Sequence, residues 1–364
     1  MSEWSQSALG DVVTLQRGHD LPETRRTPGT VPVIGSFGIT GYTGEAKYPG
    51  PGVAVGRSGA SIGVATYCLE SYWPLNTCLF ASDFHGNDPR WIYYVLKAID
   101  FGGFNSGSAQ PSLNRNYIAD IPVALPPIEE QRAIAATLGA LDDKIDSNRR
   151  VVSVALSLLD TLSAQAGERL PTVPLGELVE VAHRTVDPTR MGETVVAHFS
   201  LPAFDDGPAP EIVRAATILS NKQVIDQRSI LVSRLNPRFN RTWWVTPHAD
   251  TPAVASTEFL CVTAPNDLAL AGVWLAVRDE YFREQLPKRV TGTSGSHQRI
   301  RPADALSIDV PDTRLLPSTT LGQALGLLDL VEARRDESMK LAAFRDALLP
   351  ELLSGRLSPI KESR

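Results

Sequence analysis

The sequence is poor in the residues that metal binding and most catalysis demand. Its 364 residues hold three cysteines, Cys68, Cys78 and Cys261, with no CxxC pair and no histidine at ligand spacing beside them. That pattern excludes a zinc ribbon and a disulfide framework, and reads as buried, reduced thiols in a cytoplasmic protein. No apolar run approaches the roughly 18 residues of a membrane helix, and residues 1–5 show no basic segment leading into an apolar one. Neither a membrane partner nor a signal peptide is therefore expected. Net basic charge is missing too, at −6 for the whole chain. Residues 1–126 carry 8 Lys/Arg against 10 Asp/Glu, and residues 171–316 carry 15 against 17. Any polyanion must therefore be met by locally clustered cations, or with help from a basic partner.

The motifs of the common catalytic classes are absent as well. There is no GxxxxGK[ST] phosphate loop, no GxSxG elbow and no HExxH zinc helix. Gly35, Gly38, Gly41 and Gly44 alternate with β-formers and lead into no helix, so they read as a turn-rich strand pair rather than a dinucleotide loop. An amino-methyltransferase reading would rest on Asn236-Pro237-Arg238-Phe239, which lacks the second proline that grips a flipped base. The chain is expected to be catalytically empty and to bind no cofactor or metal itself.

What is present is strand texture broken by two long helical stretches, an α+β pattern. Short β-branched runs at 31–35, 52–56 and 62–67 are punctuated by glycine and read as strands. One helix, 89–99, puts Trp91, Tyr94, Val95 and Ala98 on one face. After Pro126-Pro127 the texture changes, and Glu129, Glu130 and Gln131 suit a helix N-terminus. Leu138, Leu141, Ile145, Asn148, Val152, Ala155, Leu159 and Leu162 then recur at spacings of three and four. This heptad seam predicts a protruding coiled-coil helix over 128–165, about 57 Å long at 1.5 Å per residue. Its one polar member, Asn148, is of the kind that fixes register.

The same order then returns. Leu9-Gly10-Asp11-Val12-Val13 reappears as Leu175-Gly176-Glu177-Leu178-Val179, and the run ending in Arg57 as the run ending in Arg234. Asn87-Asp88, opening an aromatic-bearing helix, reappears as Asn266-Asp267 before Trp274 and Tyr281. A Gly/Ser–Gln segment at 107–110, before a strand ending at Pro122, reappears at 294–298 before one ending at Pro311. A second long helix from about 318 carries Leu321, Leu325, Leu328, Met339, Ala342 and Leu349, while Glu332, Arg335 and Asp346 fall on seam positions and weaken it. The repeat marks tandem duplication of a domain plus a helix.

Base edges and phosphates are read by Arg, Lys, Asn, Gln, Ser and Thr on exposed loops. The first copy offers Tyr42, Thr43 and Lys47 on one turn, and Arg57, Ser58 and Ser61 after a strand. It adds Ser106, Ser108 and Gln110, then Asn114 and Arg115. The second copy offers Arg234, Asn236, Arg238, Asn240 and Arg241 within eight residues, then Lys288 and Arg289. Ser294, Ser296, His297, Gln298 and Arg299 complete the set. Taken singly, each is an ordinary solvated loop residue; the matched places in both copies favour DNA. A coiled-coil scaffold whose repeated domains bind protein or glycan is the alternative, and it has no need of matched Arg/Asn clusters.

These strings resemble the specificity subunit of type I restriction–modification systems. The resemblance rests on Val55-Gly56-Arg57-Ser58-Gly59, Gly107-Ser108-Ala109-Gln110-Pro111-Ser112-Leu113-Asn114 and the 121–127 strand. It rests above all on Pro127-Ile128-Glu129-Glu130-Gln131-Arg132-Ala133-Ile134-Ala135, and on the Leu353-Ser354-Gly355-Arg356-Leu357 close. It departs at Pro317-Ser318-Thr319-Thr320-Leu321, which lacks the Glu-Glu-Gln string, and at Leu235-Asn236, where the first copy has Ser58-Gly59. The resemblance implies two target-recognition domains, 1–126 and 171–316, held apart by antiparallel spacer helices, 127–170 and 317–364, with pseudo-two-fold symmetry. It implies double-stranded DNA with a bipartite target as ligand. Two methyltransferase subunits would dock on helix residues such as Leu138, Leu141, Ile145, Asn148, Val152, Leu159, Leu325, Leu328 and Met339. Those subunits would bring S-adenosylmethionine, and a restriction subunit could join the complex. A spacer of this length suits major-groove faces one or more helical turns apart, each about 34–36 Å.

Overall fold

The glycine-punctuated runs of the first copy form three small sheets in a computed structural model that describes residues 4–104, 112–291 and 298–359. The chain divides into two compact units, Met1–Lys144 with Leu341–Arg364, and Ile145–Lys340.

In the first unit, β1 (Ser5–Ala8) pairs with β9 (Pro122–Leu125). A four-stranded antiparallel sheet runs in the order β2 (Thr14–Arg17), β8 (Cys78–Asp83), β5 (Gly52–Gly56), β6 (Ala65–Cys68). A second sheet runs β4 (Gly38–Thr43), β3 (Val31–Gly35), β7 (Trp73–Pro74), with β3 and β7 parallel. The central strand β5 is small and apolar throughout because both its faces are covered. Val53 and Val55 face the aromatic side of α2 (Pro89–Ala98), while Ala54 faces Ile34, Tyr72 and Phe80. Helix α2 begins where Asp88 accepts hydrogen bonds from the backbone N–H groups of Arg90 and Trp91, both at 2.9 Å. Two single turns, α1 (Leu9–Val12) and α3 (Arg115–Ile118), close the ends.

The second unit repeats this plan with additions. β10 (Thr172–Pro174) pairs with β22 (Asp309–Pro311). A four-stranded sheet runs β11 (Glu180–Val181), β19 (Phe259–Thr263), β16 (Ser229–Ser233), β17 (Thr242–Val245). A five-stranded sheet runs β12 (Thr185–Val186), β15 (Lys222–Ile225), β18 (Ala253–Ser256), β13 (Val195–Phe199), β14 (Glu211–Arg214). Its β14–β13–β18 part, with β13 and β18 parallel, matches β4–β3–β7. A short ladder, β20 (Val290–Thr291) with β21 (Arg299–Ile300), and the helices α5 (Leu201–Asp205), α7 (Glu280–Gln285) and α8 (Pro302–Leu306) fill the connections. Helix α6 (Asp267–Arg278), capped by Asn266, is buried over every residue from Leu270 to Val277. That is why its sequence is apolar all round. The tandem repeat is thus visible strand by strand. One boundary differs from expectation: the first-copy strand begins at Pro122 rather than ending there, because Pro122 opens the pairing with Ala8.

The long helices are α4 (Ile128–Arg169) and α9 (Ser318–Leu353). Both belong to both units, so the division falls inside the helices. Within each unit they pack antiparallel. In the first, Arg345 donates to Asp142 at 2.6 Å, and Leu349 and Leu352 join Ile134 and Leu138 in the core. In the second, Asn148 Nδ2 donates to Glu337 at 3.1 Å and to Ser338 at 3.3 Å, while Leu159 joins Ala324 and Leu328. The lone polar seam residue therefore finds polar partners on the facing helix, as a register-fixing residue should.

The expectation of a free-standing protrusion needs correcting. Leu138 is packed with Trp91 and the β5 valines, and Leu159 with the α6 residues Trp274 and Leu275, so each unit absorbs its share of helix into its own core. Leu138, Ile145, Asn148, Leu159 and Leu328 are buried, and Leu141, Val152, Leu325 and Met339 half-buried. The polar seam positions of α9 also have a reason. Glu332 accepts from the N–H and hydroxyl of Thr246, at 2.8 and 2.6 Å, tying the helix to β17. Burial pushes the Glu332 carboxyl up, against the pull of those hydrogen bonds. In the first unit, Tyr94 Oη donates to Asp142 at 2.6 Å, and a Cβ at Gly139 would collide with the Arg90 guanidinium.

Candidate nucleic-acid interface

Each four-stranded sheet ends its central strand on an arginine. In the first unit the chain leaves β5 at Arg57 and returns on β6; in the second it leaves β16 at Arg234 and returns on β17. The same incoming segment crosses each loop. Leu113 N donates to Arg57 O at 2.7 Å, and Ile300 N donates to Arg234 O at 3.0 Å. Ser58 bridges Ser112, and Leu235 bridges Arg299. The Gly/Ser–Gln segments singled out in the sequence lead directly into these crossings. Ser106, Ser108, Gln110, Ser294, Ser296 and His297 themselves lie outside the described residues.

In the first unit Arg57 donates to Ser112 Oγ at 3.2 Å and to the Asn76 carbonyl at 3.5 Å. Burial, then the nearby Arg17, lower its pKa. Ser58 is half-buried, Gly59 and Ala60 are exposed, and Arg115 is exposed beside Asn114, which caps α3 through Asn116 N at 3.0 Å. Tyr42 stands 56% exposed on β4, and Lys47 lies 5.0 Å over the Trp73 ring. Two expected readers are not at the surface. Thr43 is buried on the inner face of β4, and Ser61 is buried and donates to Ser58 O at 2.6 Å, supporting the loop from beneath. A Cβ at Gly56 would collide with the carbonyl oxygens of Ser61 and Ser36, so the β3–β4 turn is pressed against the arginine loop.

In the second unit the cations are more numerous and more engaged. Arg234 donates to the carbonyls of Ile300 and Thr257. Arg241 makes a bidentate pair with Asp205 at 2.6 and 2.7 Å, and its hydrogen bonds hold the Asp205 carboxyl below the usual carboxylate range. Arg299 pairs with Glu258 at 2.9 and 2.7 Å, Lys288 with Glu284 at 3.5 Å, and Arg289 donates to Ser307 Oγ at 2.9 Å. Asn236 and Asn240 both adopt φ of +47° around the 3₁₀ turn Pro237–Phe239, and Arg238 is exposed at its tip. Asn236 N donates to the carbonyl of the half-buried Gln298 at 2.8 Å. The structure thus gathers Arg234 to Arg241 with Gln298 and Arg299 on one crossing. Two exposed aromatics beside these crossings, Phe37 and Phe239, carry no donor or acceptor and so escape a search for hydrogen-bonding residues.

All three cysteines are buried and free. Burial pushes their thiols up, Cys68 and Cys261 to about 11 and Cys78 to about 12. Among the described residues no cluster of His, Cys, Asp or Glu could hold a metal ion, and no helix is long and apolar enough to cross a membrane.

Residues 1–153 match the family model for the type I restriction modification DNA specificity domain. Residues 1–153, under half of the chain, are thus similar to such a specificity domain. A stretch of 160 residues is 27% identical to the type I restriction enzyme EcoprrI specificity subunit of Escherichia coli, covering 43% of this chain and 40% of that subunit. The match thus spans less than half the length of that curated relative. The fold of the whole chain is similar to the crystal structure of the type I restriction–modification system S subunit from M. genitalium. There the TM-score is 0.64 at 15% identity, over 96% of both chains. The specificity-domain match takes in β1 to β9 and the start of α4, so it contains the Arg57 crossing; the second unit's correspondence rests on its repeated topology.

Proposed function

We propose that this chain is the DNA sequence-specificity subunit of a type I restriction–modification assembly. Each compact unit reads one half of a bipartite double-stranded target through its arginine crossing, and the paired helices fix the half-site spacing. Two methyltransferase subunits dock on the helices and bring S-adenosylmethionine; a restriction subunit completes the nuclease form. The chain itself performs no chemistry and works in the cytoplasm.

The observation that carries this reading is the repeated crossing. Two sheets of the same strand order each deliver an arginine to the same place, bridged by the same incoming segment. Around that common backbone the side chains differ, which is what reading two different half-sites requires. Tethering two short half-sites makes the second binding event intramolecular and multiplies specificity. The modest local charge fits a subunit whose partners share the phosphate contacts.

Methylome sequencing of the host with and without the gene for this chain tests the proposal. Loss of one split adenine-methylation motif is the expected result; an unchanged methylome would refute it.

A further inference from the structure

Of the eleven phenylalanines in the chain, only Phe37, Phe239 and Phe344 are exposed among the described residues, and the first two adjoin the arginine crossings. Phe239 is 55% exposed and stands at the end of the turn between β16 and β17. Its backbone is tightly held. Pro237 is buried as the foot of the turn, Phe239 N donates to Asn236 O at 3.1 Å, and Asn240 N donates to Pro237 O at 2.9 Å. The two asparagines flanking the turn occupy the left-handed region, which Asn tolerates better than most residues. Below the ring, the Arg241 guanidinium lies 4.8 Å from its centroid, clamped by Asp205 and with its side chain only 13% exposed. Arg238 lies at the same 4.8 Å and is exposed. The result is an exposed aromatic ring on a hydrogen-bonded turn, braced by one mostly buried cation and accompanied by one exposed cation.

A lone solvated phenylalanine is unremarkable on a protein surface, but its mounting here has a specific chemical match. Apolar side chains that enter a duplex partly unstack a base step, and Arg or Lys side chains nearby contact phosphates. We infer that Phe239 is a wedge that inserts between two stacked base pairs of the half-site read by the second unit, with Arg238 on the adjacent phosphate. This rests on the reading of the chain as a DNA-specificity subunit and adds a stacking contact to it. The first unit shows a related placement: Phe37, 69% exposed, tips the β3–β4 turn, whose Ser36 carbonyl lies against Gly56 just before Arg57.

The test uses the full chain assembled with its host's modification subunits. The probe is a duplex of about three helical turns carrying the split motif found by methylome sequencing, with 2-aminopurine placed at successive steps. Binding of the wild-type assembly is expected to raise fluorescence at one step within one half-site, apart from the adenines that the methyltransferase subunits flip. Phe239→Ala should abolish that signal and weaken binding about tenfold or more; Phe239→Trp should keep both. A Leu219→Ala control, at an exposed residue just before β15, should behave as wild type. The inference is overturned if no step unstacks, or if Phe239→Ala binds as tightly as wild type. It is also overturned if that variant loses its modification subunits in gel filtration, which would make Phe239 a protein contact. If the wild-type assembly shows no motif preference at all, the specificity-subunit reading itself fails.

Discussion

The two arginine crossings share a backbone and differ in how their charge is held. In the first unit Arg57 leans on a hydroxyl and a carbonyl and has no carboxylate partner among the described residues. In the second, Arg241 and Arg299 each face a carboxylate, and Arg234 is spent on carbonyls. The copy richer in arginine is therefore not the more positive one in proportion. Its cations act first as braces for an elaborate turn, and partly exposed ion pairs of this kind contribute little net stability but fix geometry. Duplication has preserved the crossing while its chemistry diverged, from a small loop with Gly59 and Ala60 at the surface to a stiff turn presenting Arg238 and Phe239.

The sharpest way to break the comparison is to unfold one copy and leave the other. Leu138→Asp places a charge in the first core and Leu159→Asp in the second, each costing about 3–5 kcal/mol or more. Hydrogen exchange should show protection lost in the strands and helices of the first unit for the former, and of the second unit for the latter. Equal loss in both units from either change would show that they do not fold separately. A smaller effect distinguishes the crossings by pH. Because the folded-state pKa of Asp205 is depressed, its pairing with Arg241 stabilises the fold above the ordinary carboxylate range and is lost as pH falls through the depressed value. Asp205→Asn should lower the melting temperature at neutral pH and reduce its fall towards acid, with no counterpart in the first unit; an unaltered pH profile would discount the brace. The smallest effect is electrostatic. Arg115→Ala and Lys288→Ala should each weaken DNA binding uniformly across sequences and reduce the salt slope by about 1. A change of preferred bases instead would make either residue a base reader.

Much of this was legible because it is local. Glycine-flanked strands, helix-capping Asp88 and Asn266, and the three-four spacing on α4 each depend on neighbours a few residues away. The duplication was legible for the same reason, since both copies keep those signals in order. What escaped was tertiary. The carboxylates that occupy Arg241 and Arg299 lie 36 and 41 residues off in sequence, and the threonine that engages Glu332 lies 86 away. A polar residue on a helical seam reads as a flaw until its partner on a distant strand is known. Thr43 and Ser61 read as surface residues in the sequence because a hydroxyl in a glycine-rich turn has the same signature whether it faces water or supports the loop from inside.

The nesting of the units has a consequence for how the chain is made. The second unit is one unbroken stretch, whereas the first is closed by residues from 341 onward, including the buried Leu349 and Leu352. During synthesis, which exposes N-terminal residues first, the earlier-made unit must wait for the helix turns after residue 340, while the later-made one can finish before them. The first unit would then wait through synthesis of the whole second unit with part of its core uncovered. A released chain truncated after residue 340 should keep a protease-resistant second unit and a protease-sensitive first.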